Sequence, residues 1–369
     1  MNLRQGRIGR QEAVCAAAIA AAASGIFTPD GQALYAKGNS SYVSMLLSAG
    51  LALIVFLLTA AAMRRTGCET LWGLLRCGLG PLFGRIAALL ISALLIASAA
   101  SVLSRFSLML SRFVYPDAAE WQILAYLVPA SFIPAWLGLE GIGRTARLFI
   151  WLILAMLLGA LIMAAYNYEL HRLAPFLGDG AANMINLGAR NSLLFLPALL
   201  GLLISARGVH GTVAARKAGY VAGIAAGIMS SVCQLCLGMT YPYKDLAQMH
   251  SPMYRITMNF RTGGYFPRMD KLLLFGWVLS GMLASGFYVY TAALLFCEAF
   301  AQEDIRPSIL AFSVLMGALS LLMHAEADFI EQTASVVSAY GWLIAIVPVL
   351  VAVIISLMFK SNGKEGARA

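Results

Sequence analysis

The 369-residue chain is 60% hydrophobic and only 12% charged, with a mean hydropathy of +0.80 and a formal charge of +9. That apolar share is well above the usual share of a soluble globular domain, so the composition excludes one and describes a polytopic membrane protein. The positive charge does not point to nucleic acid: no Arg-aromatic binding pattern accompanies it, and Lys and Arg gather in short loops, where they set membrane orientation.

Arg4, Arg7 and Arg10 precede an Ala-rich run. The arrangement resembles a secretory signal, but the run is weakly apolar and further spans follow, so it reads as the first span. That span, 11 to 36, contains AAAASGIFTPDG, Ala20 to Gly31. From Gln11 to Phe27 a helix would cover roughly 25 Å, too little for a hydrocarbon core of about 30 Å. The segment must continue past a break, with Thr28 as N-cap, Pro29 in the first turn and Asp30 at the positive helix end. The amides after Ser24 and Gly25, with Ile26 beside them, are then candidates to hold a ligand carboxylate. The alternative is a span that starts near Arg10 and simply ends at a TPDG turn.

The next apolar stretches are 43 to 63, 84 to 104, 121 to 139 and 147 to 166. The fifth carries no Lys or carboxylate, which disfavours a proton-relay pump. After a loop at 167 to 186 comes the sixth span, 187 to 206, interrupted by Arg190 and Asn191 and then by Pro197 and Gly201. Spans 218 to 240, 270 to 298, 307 to 323 and 334 to 358 complete the chain, with a second long loop at 241 to 269. No stretch is left for a soluble domain, so residues 1 to 369 read as one transmembrane domain.

Placing the N-terminus in the cytoplasm gathers Arg4, Arg7, Arg10, Arg64, Arg65, Arg76, Arg85, Arg144, Arg147, Arg207, Arg216, Lys217, Lys360, Lys364 and Arg368 on one side. That is the cytoplasmic side by the positive-inside rule, with both termini on it. Lys244, Arg255, Arg261, Arg268 and Lys271 run against the rule in one opposite loop. Ten spans divide into five plus five, and an odd-numbered half repeated once enters the membrane in the opposite sense. Breaks at equivalent places in spans one and six are the sequence pointer to a transporter-type site at the midplane, because unpaired main-chain groups survive there only where they line a cavity.

Particular stretches carry a resemblance: SSYVSMLLSAGL (40 to 51), GLEGIGRTARLFI (138 to 150), HRLAPFLGDG (171 to 180) and the run from SPMYRITMNF to LLFCEAF (251 to 300). In this order, over most of the chain, they resemble the spore germination permease family, the B subunits of nutrient germinant receptors. That family belongs to the amino acid-polyamine-organocation superfamily. The resemblance implies an all-α, ten-span inverted repeat with unwound first and sixth helices. It also implies recognition of a small nutrient, typically an amino acid, in a spore's inner membrane together with A-type and C-type subunits. The pocket marked by the two breaks takes Ser24, Gly25 and Ile26 from span one and Ser192, Leu196, Pro197 and Gly201 from span six. The superfamily geometry implied by the resemblance adds to it Ser98 and Ser101 from span three and Tyr288 from span eight. Tyr42 stands where a Trp commonly opens the second span.

The rest of the chemistry is sparse. Arg105, Glu140, Asp270 and Glu298 fall near span ends, where long side chains snorkel to the interface. Ser280 and Ser285 on span eight are open to two readings, sodium ligands or small residues for close helix packing. Cys233 and Cys236 share a helix face, but no His or third Cys joins them, and small core residues fit them better than a metal site. His324 to Asp328 (HAEAD) reads as a solvated acidic loop rather than a metal site. No Ser-His-Asp set, phosphate loop or paired carboxylates emerge, so neither an enzyme nor a cofactor is expected. The sequence therefore points to a ligand-sensing membrane subunit, with an amino acid permease working by alternating access as the rival on the same scaffold.

Overall fold

The computed structural model describes residues 6–27, 34–35, 39–174, 178, 180–249, 251–258, 269–325 and 346–355. The expectations resting on Thr28 to Gly31, on Arg261 and Arg268, on Glu326 to Asp328 and on the first part of the tenth span lie outside these residues.

Helices α1 (Arg10–Phe27) and α2 (Ser41–Thr66) open the chain. Two unusually long helices follow, α3 (Leu71–Phe113) and α4 (Glu120–Ala164). Each leaves helical geometry at one residue, Gly80 (φ 77°, ψ −179°) and Gly138 (φ 78°, ψ −170°). That combination is open essentially to glycine alone. At 45 residues, a straight α4 would reach about 68 Å, more than twice the hydrocarbon thickness. The turn at Gly138 instead makes it two membrane-length pieces with almost no loop between them. In α3 the turn at Gly80 separates a short leading helix from the piece beginning at Pro81.

The sixth span is α5 (Ala181–Asn191), a 3-10 turn (Ser192–Leu194) and α6 (Leu196–Ile204). Then come α7 (Thr212–Thr240), two short helices, α8 (Tyr243–Gln248) and α9 (Pro252–Met258), and the long α10 (Met269–Phe300). The described chain closes with α11 (Arg306–Ala325) and α12 (Ile346–Ile355). Seven of the described helical stretches are long and apolar enough to cross a membrane, with α4 counted once.

Equivalent spans of the two halves pack on one another: α1 on α6, α2 on α7, α3 on α10, and the first part of α4 on α11. This pairing is what two inverted halves interlocked about a pseudo-two-fold axis produce. Small residues permit the approach. A Cβ on Gly227 would lie 2.5 Å from that of Ala49, and one on Gly78 would lie 2.6 Å from the carbonyl oxygen of Ala352. Contacts this close between helices are how membrane proteins gain packing energy, since lipid supplies no hydrophobic drive for helices to associate.

Candidate ligand site where helix one meets the break in helix six

α1 lies at the centre of the bundle, against α4, α6, α7 and α10. Its helical geometry runs unbroken through Ser24 and Gly25 to Phe27, and Leu34 and Tyr35 are also helical. The expected discontinuity therefore does not fall at Ser24. The amides after Ser24 and Gly25 are spent inside the helix and cannot hold a carboxylate, which corrects that part of the sequence reading.

Ser24 and Tyr288 come together as expected. Their hydroxyls are 2.8 Å apart, and Tyr288 donates to the Ala20 carbonyl at 3.0 Å, which leaves Ser24 as the donor to the phenol oxygen. Both side chains are buried. Gly25 also meets the sixth span: a Cβ there would stand 2.8 Å from the Phe195 ring and 2.6 Å from Ser230 Oγ. Phe195 links the 3-10 turn to α6, so the junction of spans one and six exists as a direct contact. The break itself spans Ser192 to Phe195 rather than Pro197, which sits in the first turn of α6 where its missing N–H costs nothing.

The other expected residues separate. Ser192 is buried but donates to Ala189, and Leu196 and Pro197 are packed in the core. Gly201 packs on Phe287 and Thr291 of α10. Ser98 and Ser101 donate to carbonyls of their own helix, Leu94 at 2.8 Å and Ser98 at 2.9 Å. Ser280 does the same toward Trp277, while Ser285 reaches the Ala99 carbonyl across to α3. These two serines are engaged in helix packing.

Sequence reasoning missed Ser230. It is fully buried on α7 and, among the described residues, its hydroxyl has no hydrogen-bond partner. A serine in an Ala/Gly/Ser-rich helix, next to a second serine, Ser231, gives no sequence signal. Glu298 is a second miss. Instead of snorkelling, both its carboxyl oxygens are buried and accept no hydrogen bond of normal geometry, although Thr70 and Arg207 lie beside it. Arg207 is engaged with Glu69 at 3.0 Å. Glu140 does lie exposed, paired with Arg144. The side chain of Asp270 is outside the description.

Both ends of the bundle are closed over this junction. At the Arg-rich end, the Ile8 N–H donates to the Gly208 carbonyl at 2.9 Å, and Gly208 packs on Leu139. At the opposite end Phe27 stacks on Phe106 (5.3 Å) and Trp277 (5.0 Å), while Tyr254 of α9 covers Phe113 and Trp277. A cavity of about 160 Å³ borders the other side of α1, lined by aliphatic residues of α1, α4 and α7 and closed by Trp277.

A search of curated protein sequences finds no match. Among solved structures, a Na+-coupled sialic acid symporter in a substrate-bound, outward-open state superposes with a TM-score of 0.63. It is 10% identical, over 93% of this chain and 88% of that one. Mhp1, a nucleobase-cation-symport-1 family transporter in a closed conformation with bromovinylhydantoin bound, gives a TM-score of 0.49 at 13% identity, over 97% and 92%. The symporter likeness shows the fold, a helical membrane architecture of two inverted halves. The family model described as "Spore germination protein" matches residues 8–330, nearly the whole chain, and with the paired halves and the broken sixth helix it identifies this chain as a member of the spore germination permease family.

Proposed function

We propose that this chain is the B-type subunit of a nutrient germinant receptor, a single transmembrane domain in the spore inner membrane with both termini cytoplasmic. In this reading it binds a small amino-acid-like nutrient, does no covalent chemistry, and passes the signal to A-type and C-type subunits. The observation that carries the reading is the Ser230 hydroxyl, unpartnered among the described residues and facing Gly25, the residue next to Ser24 of the Ser24–Tyr288 pair. A buried hydroxyl without a partner costs about 1–3 kcal/mol, a cost a ligand group can offset.

The Ser230 hydroxyl can donate to a carboxylate at once, while those of Ser24 and Tyr288 become donors to a ligand only when their mutual bond and the bond to Ala20 open. In the closed arrangement the Phe195 ring fills the space beside Gly25, so a nutrient enters only when α1 and the sixth span move apart. Binding then selects the separated arrangement by its differential affinity, which is the signal.

Ser230→Ala is the test. Because the hydroxyl has no protein partner, thermal stability of the purified chain should hold or rise. The concentration of amino acid needed to raise its Tm should increase by about tenfold, the equivalent of one lost hydrogen bond. Unchanged amino acid affinity in Ser230→Ala would remove the site. The likeness to a coupled symporter keeps the permease alternative in view. Ligand accumulation in proteoliposomes driven by an ion gradient would favour it over a sensor.

A further inference from the structure

The cavity beside α1 has the wrong chemistry for the nutrient. Its walls include Ala18, Ala22 and Ala23 of α1, Ile150, Ile153, Leu154 and Leu157 of α4, and Ala225, Ala226 and Met229 of α7. The one hydroxyl on its surface, that of Ser280, is spent on the Trp277 carbonyl at 2.6 Å. The Trp277 N–H is wholly buried and reaches no open space. No group is placed to receive an ammonium or a carboxylate, and burying either without partners is prohibitively costly. A dry apolar space of about 150 Å³ does hold an apolar guest of benzene size.

The cavity is also open to one side. Ala225 is exposed, and Ile150, Ile153, Leu154 and Met229 are only half-buried. The residues beside them on the same two helices, Trp151 at 73% and Ile228 at 53% exposure, are large, apolar and uncovered. Ile150 lies about 18 Å along its helix from the turn at Gly138, near mid-bilayer depth. The opening is therefore continuous with the lipid-facing surface, at a depth where hydrocarbon is the solvent.

We propose that this cavity is a lipid site, taking the acyl chain of a bilayer phospholipid from the side between α4 and α7, against the alanine face of α1. The occupant and the nutrient then press on the same turn of one helix, the chain on Ala22 and Ala23 and the nutrient beside Ser24 and Gly25.

The test uses the full chain with Trp277 as its sole tryptophan, reconstituted in phosphatidylcholine vesicles whose acyl chains are brominated near their middle. Bromination should remove about half of the Trp277 emission, since the ring is reached at mid-bilayer depth through the cavity. Ala22→Phe and Ala225→Phe, which fill the space, should restore most of the emission, and Met229→Ala, which widens it, should deepen the loss. Emission indifferent to bromination overturns the proposal. So does an equal loss in both filled variants when their thermal transitions match the parent's. Quenching by aqueous acrylamide in place of bromine would make the cavity a water path. Bromine quenching that vanishes as protein is concentrated in the vesicles would make this face a contact between copies. Either result overturns the lipid assignment.

Discussion

The contact between Ser24 and Tyr288 joins residues 264 positions apart and consumes both hydroxyls, with the Ala20 carbonyl as terminus of the chain of bonds. Removing the phenol oxygen leaves the Ser24 hydroxyl buried without a partner, so Tyr288→Phe is expected to destabilise the protein by about 1–3 kcal/mol, read as a lower thermal midpoint in detergent. In a Ser24→Ala background the same change should cost markedly less, because the pair fails as a unit. Equal costs in both backgrounds would mean that the bond carries nothing. Ser230 behaves oppositely: with no partner to lose, its truncation should be visible in ligand affinity and not in stability. The two residues illustrate what sequence conveys at this scale. The helix-break pattern singled out Ser24 and the resemblance singled out Tyr288 as candidates, whereas Ser230 became visible only once Gly25 was found against it.

At the scale of elements, the turns are set by backbone conformation. Gly138 stands in a region that costs other residues about 1–3 kcal/mol. Gly138→Ala is expected to lower the thermal midpoint by that order, although its Cβ would meet only Tyr290, at 3.8 Å. Gly159 is the control: it is helical in the same element with open space around it, and Gly159→Ala should be neutral or stabilising by up to about 1 kcal/mol. Equal effects at the two positions would show that conformation is not what Gly138 supplies. The break in the sixth helix follows a similar logic. Pro197 signals a break in the sequence, but proline is tolerated in a first turn, so the chain unwinds just upstream, at Ser192 to Phe195. Ser24 and Gly25 misled for the converse reason. Small residues inside membrane helices usually serve close packing, and here Gly25 admits Phe195 without breaking α1.

Across the whole molecule, the junction is sealed at both ends, by the Ile8–Gly208 bond at the Arg-rich end and by the aromatic cover at the other. Tyr254 contributes two ring contacts to that cover, at 4.8 Å and 6.3 Å. Each such contact is worth about 0.5–1.5 kcal/mol. Tyr254→Ala should therefore shift the population toward opening on that side by about tenfold. A maleimide reacting with Ile26→Cys, in a chain cleared of its native cysteines, reads this as a faster labelling rate. An unchanged rate would place the seal elsewhere. The fold allows α1 and the sixth span to respond together because Gly25 of α1 packs directly on Phe195 at the break in the sixth span.

The amino-acid sequence determined the membrane class, the broken sixth span, the inverted halves and the family. All of these follow from hydropathy, charge, glycine and proline placement, or local motif, which are properties of neighbouring residues. Tertiary structure decided where the polar groups go: that α1 stays helical through Gly25, that Ser98, Ser101, Ser280 and Ser285 are occupied by carbonyls, that Glu298 turns inward, and that Ser230 is left without a partner. The physical reason is that a hydroxyl or carboxyl in a bilayer must find its partner within hydrogen-bond reach. The helix that comes within reach is set by packing between distant parts of the chain, which no local pattern encodes.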